Sequence, residues 1–77
     1  MPNPQGGIKT THLINKVRQL GYSFHRQADR VVFYKKGVDR VPIPRRDFVP
    51  EDQARTILFQ CGLTAAHVQA FIQAANA

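Results

Sequence analysis

Cysteine occurs once, at Cys61, so no internal disulfide can form, and a single thiol with three scattered histidines is too few to build a Cys/His metal centre. His12, His25 and His67 share no metal-ligand spacing, so neither a metal nor another cofactor is expected. Apolar runs are only a few residues long, far short of the ~20 that span a bilayer. The N-terminal segment has no apolar stretch of the signal-peptide kind, which makes a soluble, cytoplasmic protein the expectation. Gly-rich phosphate loops, paired-carboxylate motifs, nucleophile elbows and internal repeats are all missing.

Negative charge is the other scarcity. Eleven Lys and Arg face five Asp and Glu, a formal net charge of +6. The cations are segregated: between Lys9 and Arg46 only Asp29 and Asp39 oppose them, whereas Thr56 to Ala77 carries no Lys, Arg, Asp or Glu. A positive middle of this kind favours polyanionic partners, through phosphate contacts and the release of condensed counterions.

What is present is enough for one small domain. Apolar residues make up 43% of the 77, sufficient for a single core. Met1 to Gly7, rich in Pro and Gly, reads as a flexible lead-in, and residues 8–77 as the folded part. Thr10 and Thr11 are placed to cap a first helix whose apolar stripe is Leu13, Ile14, Val17 and Leu20, with Gly21 as its stop. Tyr22 to Arg26 and Arg30 to Lys35 are short runs rich in aromatic and β-branched residues, separated by Gln27-Ala28-Asp29, and form a hairpin. After a turn at Lys36-Gly37-Val38-Asp39, Arg40 to Pro44 alternates as a third strand, which lies at an edge or pairs only through alternate residues because Pro42 and Pro44 donate no ladder bonds.

Pro50 suits the first turn of a second helix, in which Ala54, Ile57, Leu58 and Cys61 form the buried face and Gly62 the stop. Thr64 then caps a third helix running to about Ala75. That helix carries Val68, Phe71 and Ile72 on one stripe and Ala66, Ala70 and Ala74 on another, so its uncharged surface is a candidate contact for a second copy or a partner protein. The order of elements predicts a two-layer α+β domain, with a three-stranded antiparallel sheet packed on helices.

Arg26, Arg30, Lys35, Lys36, Arg40, Arg45 and Arg46 lie on the hairpin strands, their turns and the exit from the third strand, and are the expected phosphate contacts. Lys16 and Arg18 could extend the patch along the first helix. Tyr22, Phe24, Phe33, Tyr34 and Phe48 are assigned chiefly to packing rather than to base stacking. Alternation leaves open which of Val31 and Val32 faces the core.

Several segments together resemble the HicA family of toxin proteins. They are Leu20-Gly21-Tyr22 ending the first helix, Arg26-Gln27 before a tight turn, Phe33-Tyr34-Lys35, Val41-Pro42-Ile43-Pro44, and the run from Arg55-Thr56-Ile57-Leu58 to Cys61-Gly62-Leu63-Thr64. The resemblance covers roughly residues 11–71. It implies a fold like that of double-stranded-RNA-binding domains, cleavage of messenger RNA, and neutralisation by a HicB-like antitoxin. Where the family's nucleases carry Gly-Ser-His, with the histidine linked to cleavage, this chain has Asp29-Arg30-Val31. Valine cannot transfer a proton, so an RNA-binding protein deficient in cleavage is the leading expectation. The alternatives are a divergent endoribonuclease using His25, and a protein-interaction module whose basic face meets an acidic protein.

Overall fold

A computed structural model describes residues 7–75. The chain runs through β1 (Ile8–Lys9), α1 (Thr10–Gln19), β2 (Ser23–Gln27), β3 (Val31–Lys36), β4 (Asp39–Pro44), β5 (Phe48–Val49), α2 (Glu51–Gln60) and α3 (Ala65–Ala75). This is the expected α+β arrangement, with β2, β3 and β4 forming an antiparallel sheet in chain order and β4 at one edge. Among the described residues no helix is long and apolar enough to cross a membrane.

Two elements were not foreseen. β1 and β5 pair antiparallel as a separate ladder, Ile8 opposite Val49 and Lys9 opposite Phe48. Strands of two residues are too short to show alternation, which is why sequence pattern misses them. They extend the folded part by one residue: Gly7, assigned above to the lead-in, is buried, while residues 1–6 lie outside the described range.

The core joins the sheet to all three helices. Leu13 and Val17 of α1, Ala54, Ile57 and Leu58 of α2, and Val68 and Ile72 of α3 pack with Tyr34, Val41 and Ile43 of the sheet and with Ile8 and Val49 of the small ladder. Tyr34 is buried and Val32 packs against this core, so the even-numbered positions of β3 face the helices. Val31, Phe33 and Lys35 therefore face outward, as do their cross-strand neighbours Pro44, Pro42 and Arg40.

Both glycine stops are realised in the same backbone motif. After α2, Gly62 at φ 91° lets its own N–H reach the Phe59 carbonyl and the Leu63 N–H reach that of Leu58. After α1, Gly21 at φ 99° does the same for Arg18 and Val17. These paired bonds satisfy carbonyls that a helix end otherwise leaves without donors. Space around Gly62 is open, so Gly62→Ala meets only the backbone penalty of the left-handed region, about 1–2 kcal/mol. A fall of roughly 5–10 °C in the thermal midpoint is expected, read by circular dichroism. Gly21→Ala is expected to cost more, because an added Cβ would also lie 3.1 Å from the Lys36 Cε.

The helix starts divide. Thr64 does cap α3, its hydroxyl accepting from the His67 N–H at 3.3 Å. Thr10 does not cap α1: Lys9 occupies the cap position without a side-chain bond, and Thr11 lies inside the helix. The Thr10 hydroxyl instead donates to the carbonyl of Arg46, and its N–H to that of Asp47 at 3.0 Å. Helix α2 likewise begins one residue later than expected, with Pro50 as its cap.

Candidate nucleic-acid interface

The outer face of the sheet is built by a fault in the β2–β3 ladder. Ser23 pairs with Lys35 and Phe24 with Tyr34, but the next pair is Arg26 with Phe33, leaving His25 as an extra residue in a bulge. Without that insertion Arg26 would fall on the helix side with Phe24. The bulge re-aims it outward and puts His25 beside it on the same face. The Arg26 guanidinium lies over the Phe33 ring, 4.7 Å from its centroid. Lys35 and Arg40 sit opposite one another across β3 and β4. Four cationic or titratable groups thus share one exposed surface.

The pKa of His25 reflects that company. Partial desolvation at the bulge comes first, and the positive charges of Arg40, Lys35 and Arg26 add to it, holding the imidazole below its usual 6.5. His25 is therefore predominantly neutral at pH 7 and able to accept a proton, in a field that attracts anions.

A cleft of about 590 Å³ opens at the far end of β3 and β4, lined by Asp29, Arg30, Val31, Pro44, Arg45, Arg46 and Gln53. Arg45 is the clamp of this cleft. Its guanidinium donates to the carbonyls of Ala28 at 3.4 Å and Asp29 at 3.1 Å. Its N–H meets the Arg30 carbonyl at 2.9 Å, fixing the β2–β3 loop to the exit of β4. The bond from Thr10 to the Arg46 carbonyl ties the other side of the same segment to α1. Arg30 and Arg46 are exposed on this braced frame. Val31, where the resemblance leads one to expect histidine, forms part of the cleft wall.

The structure thus brings together six of the cations expected to contact phosphate, in two neighbouring groups: Arg26, Lys35 and Arg40 on the sheet, and Arg30, Arg45 and Arg46 at the cleft. It places the others elsewhere. Lys36 turns to the helix side, where its Nζ donates to the Leu20 carbonyl at 2.9 Å and lies 5.9 Å from the Tyr22 ring centroid. Lys16 and Arg18 belong to α1, which packs on the opposite side of the sheet, and Lys16 lines a groove there.

Among the aromatics, Tyr22 and Tyr34 are buried, in keeping with a packing role. Two depart from it: Phe24 is 59% exposed on the helix side of β2 and set edge-on to Tyr34 at 6.4 Å, and Phe33 is half-buried on the outer face beneath Arg26. The bulge that organises the site was missed by sequence reasoning. The only signal for it is that His25 and Arg26, both polar, follow one another in a strand that should alternate. Among the described residues no group of three or more His, Cys, Asp or Glu could hold a metal ion. The chain matches no protein-family model, no curated protein and no solved structure.

Proposed function

We propose that this chain is a cytoplasmic RNA-binding protein of HicA-like character, the toxin-like member of a pair with a HicB-like antitoxin, and that it is deficient in RNA cleavage. The observation that carries the binding half is the pair of groups of exposed cations flanking His25 and Val31, with Asp29 the one carboxylate among the described residues that line the cleft. The cleavage half rests on a count of proton-transfer groups. Metal-free cleavage needs a base for the 2′-hydroxyl and an acid for the leaving oxygen. The outer face supplies one imidazole, at His25, while Val31 offers none. RNA is favoured over DNA by the resemblance; the cationic surface itself would attract either.

The lowered pKa of His25 supports a second reading, a divergent nuclease in which this imidazole acts as base. One experiment separates the two: a titration of a labelled single-stranded RNA across salt and pH, with the products run on a gel. Six phosphate contacts, at ~0.7 counterion each, give a slope of about −4 in log affinity against log salt. Affinity then falls roughly 300-fold between about 50 and 200 mM salt. A bound phosphate stabilises the protonated imidazole and raises the His25 pKa in the complex. Affinity is therefore expected to rise as pH falls through the pKa of the complex, and to level off below the pKa of the free protein. His25→Ala should flatten that rise without abolishing binding. Products that vanish with His25→Ala would establish the nuclease instead, and salt-insensitive binding would sink the RNA reading.

A further inference from the structure

On the helix side of the molecule α1 and α3 leave a groove of about 600 Å³ between them. Its α1 wall is His12, Asn15, Lys16 and Gln19; its other wall and floor are Leu63, His67, Ala70, Phe71 and Ala74. The chemistry is lopsided. Leu63 and Phe71 are only half-buried, and Ala70 and Ala74 are exposed, so the floor offers apolar area that no described element covers. Among the described residues Lys16 is the only formally charged one along it, and none of Asp29, Asp39, Asp47, Glu51 and Asp52 reaches it. The remaining rim side chains, two imidazoles and two amides, present hydrogen-bonding groups.

We infer that this groove is a docking site for an acidic amphipathic helix of another protein, which lays an apolar stripe on Leu63, Phe71 and the alanines and directs carboxylates at Lys16 and the polar rim. The helix-in-groove mode needs an apolar trough with a rim that reads the flanking residues, and both are present. Charge decides against the other obvious occupant. In a second copy of this chain, α3 has no Asp or Glu to offer Lys16, and each molecule carries a formal +6, so bringing two together adds repulsion. An acidic partner reverses both terms. The inference is independent of the RNA reading, since the groove lies on the face away from the outer sheet cations.

The test uses the full chain, isotopically labelled, and two synthetic peptides. One has leucines at helical spacing flanked by glutamates; its sister has each glutamate replaced by lysine. The glutamate peptide is expected to shift the backbone amides of Asn15, Gln19, His67, Ala70 and Ala74, and to bind about tenfold more tightly than its sister. Lys16→Glu should reverse that preference while leaving the amide spectrum of the sheet unchanged. Equal binding of the two peptides overturns the inference, as does an absence of shifts at the groove. Shifts confined to the amides around Arg26, Lys35 and Arg40 also overturn it, because they would place the acidic peptide on the outer sheet. Groove shifts that depend on protein concentration without peptide would assign the surface to a second copy, equally against the inference.

Discussion

Replacing Arg26, Lys35 and Arg40 together by alanine is expected to weaken RNA binding about fiftyfold at ~0.15 M salt, and to halve the salt slope from about −4 to about −2. The estimate follows from the counterion account. A contact that releases ~0.7 counterion contributes about 0.6 of a decade in affinity at that salt, and the three sheet cations are half of the six. Folding should be little affected. Lys35 and Arg40 are exposed and face each other as like charges, so their loss relieves repulsion. The Arg26 contact with the Phe33 ring is of the exposed kind, contributing about 0.5–1 kcal/mol. The thermal midpoint is therefore expected to move by only a few degrees. A double variant, Lys16→Ala with Arg18→Ala, removes charge from α1 on the other side of the sheet and serves as the control. If it flattened the salt slope in proportion to the charge removed, binding would be a property of net charge and not of the outer face. Fluorescence anisotropy of a labelled RNA at four or five salt concentrations reads both outcomes.

That control matters because the grouping of the cations was only partly legible in the sequence. The elements themselves were, the two-residue β1 and β5 apart. Leu13, Ile14 and Val17 repeat at the helical period, Val41 and Ile43 at the strand period, and Gly21 and Gly62 stop their helices where a positive φ is needed. These are local signals, and local signals survive in the chain whatever the tertiary structure does. Facing is non-local. Whether Val31 or Val32 meets the core depends on the register of β3 against β4 and on Tyr34 finding a buried place, neither of which alternation can decide. Lys36 left the expected set for the same reason: one position along from Lys35, it falls on the helix side and reaches the end of α1. The bulge at His25 shifts the register within β2, so Arg26 lands on the outer face against the parity of the strand.

Thr10 shows the same limit at a helix start. Ser and Thr before an apolar stripe read as caps because the usual partner of the hydroxyl is the N–H two or three residues on. Here the hydroxyl serves a carbonyl 36 residues away, and so braces the arginine cleft instead of the helix. A tie of this kind leaves no trace in spacing. Its consequence is positional: the main chain at Arg45 and Arg46 is held at the cleft by bonds to the β2–β3 loop and to α1.

The braced cleft makes Val31→His the most informative single substitution, and RNA cleavage is its expected result. The register places Val31 on the outer face, half-buried, in a wall shared with Arg30, Arg45 and Arg46. An imidazole there would stand among cations that can hold a phosphate and stabilise charge developing on it. It would also give the outer face the second proton-transfer group that it lacks. His25 lies one strand away and between two and three residues along, a Cβ separation of about 10 Å from strand geometry, close enough for two imidazoles to flank one phosphodiester. General acid–base catalysis by a positioned group contributes ~10²–10⁴ in rate, enough to turn an undetectable reaction into a measurable one. Val31→Ala should give no products, and Val31→His combined with His25→Ala should lose most of the gain, if both imidazoles transfer protons. The folding cost is that of exchanging one half-buried residue for another of larger volume, about 1 kcal/mol, and circular dichroism checks that the fold is kept. A folded Val31→His protein that binds RNA at the parent's affinity and releases no fragments would show that the arginines do not hold a scissile phosphate within reach of position 31, and would remove the cleft from the proposed RNA site.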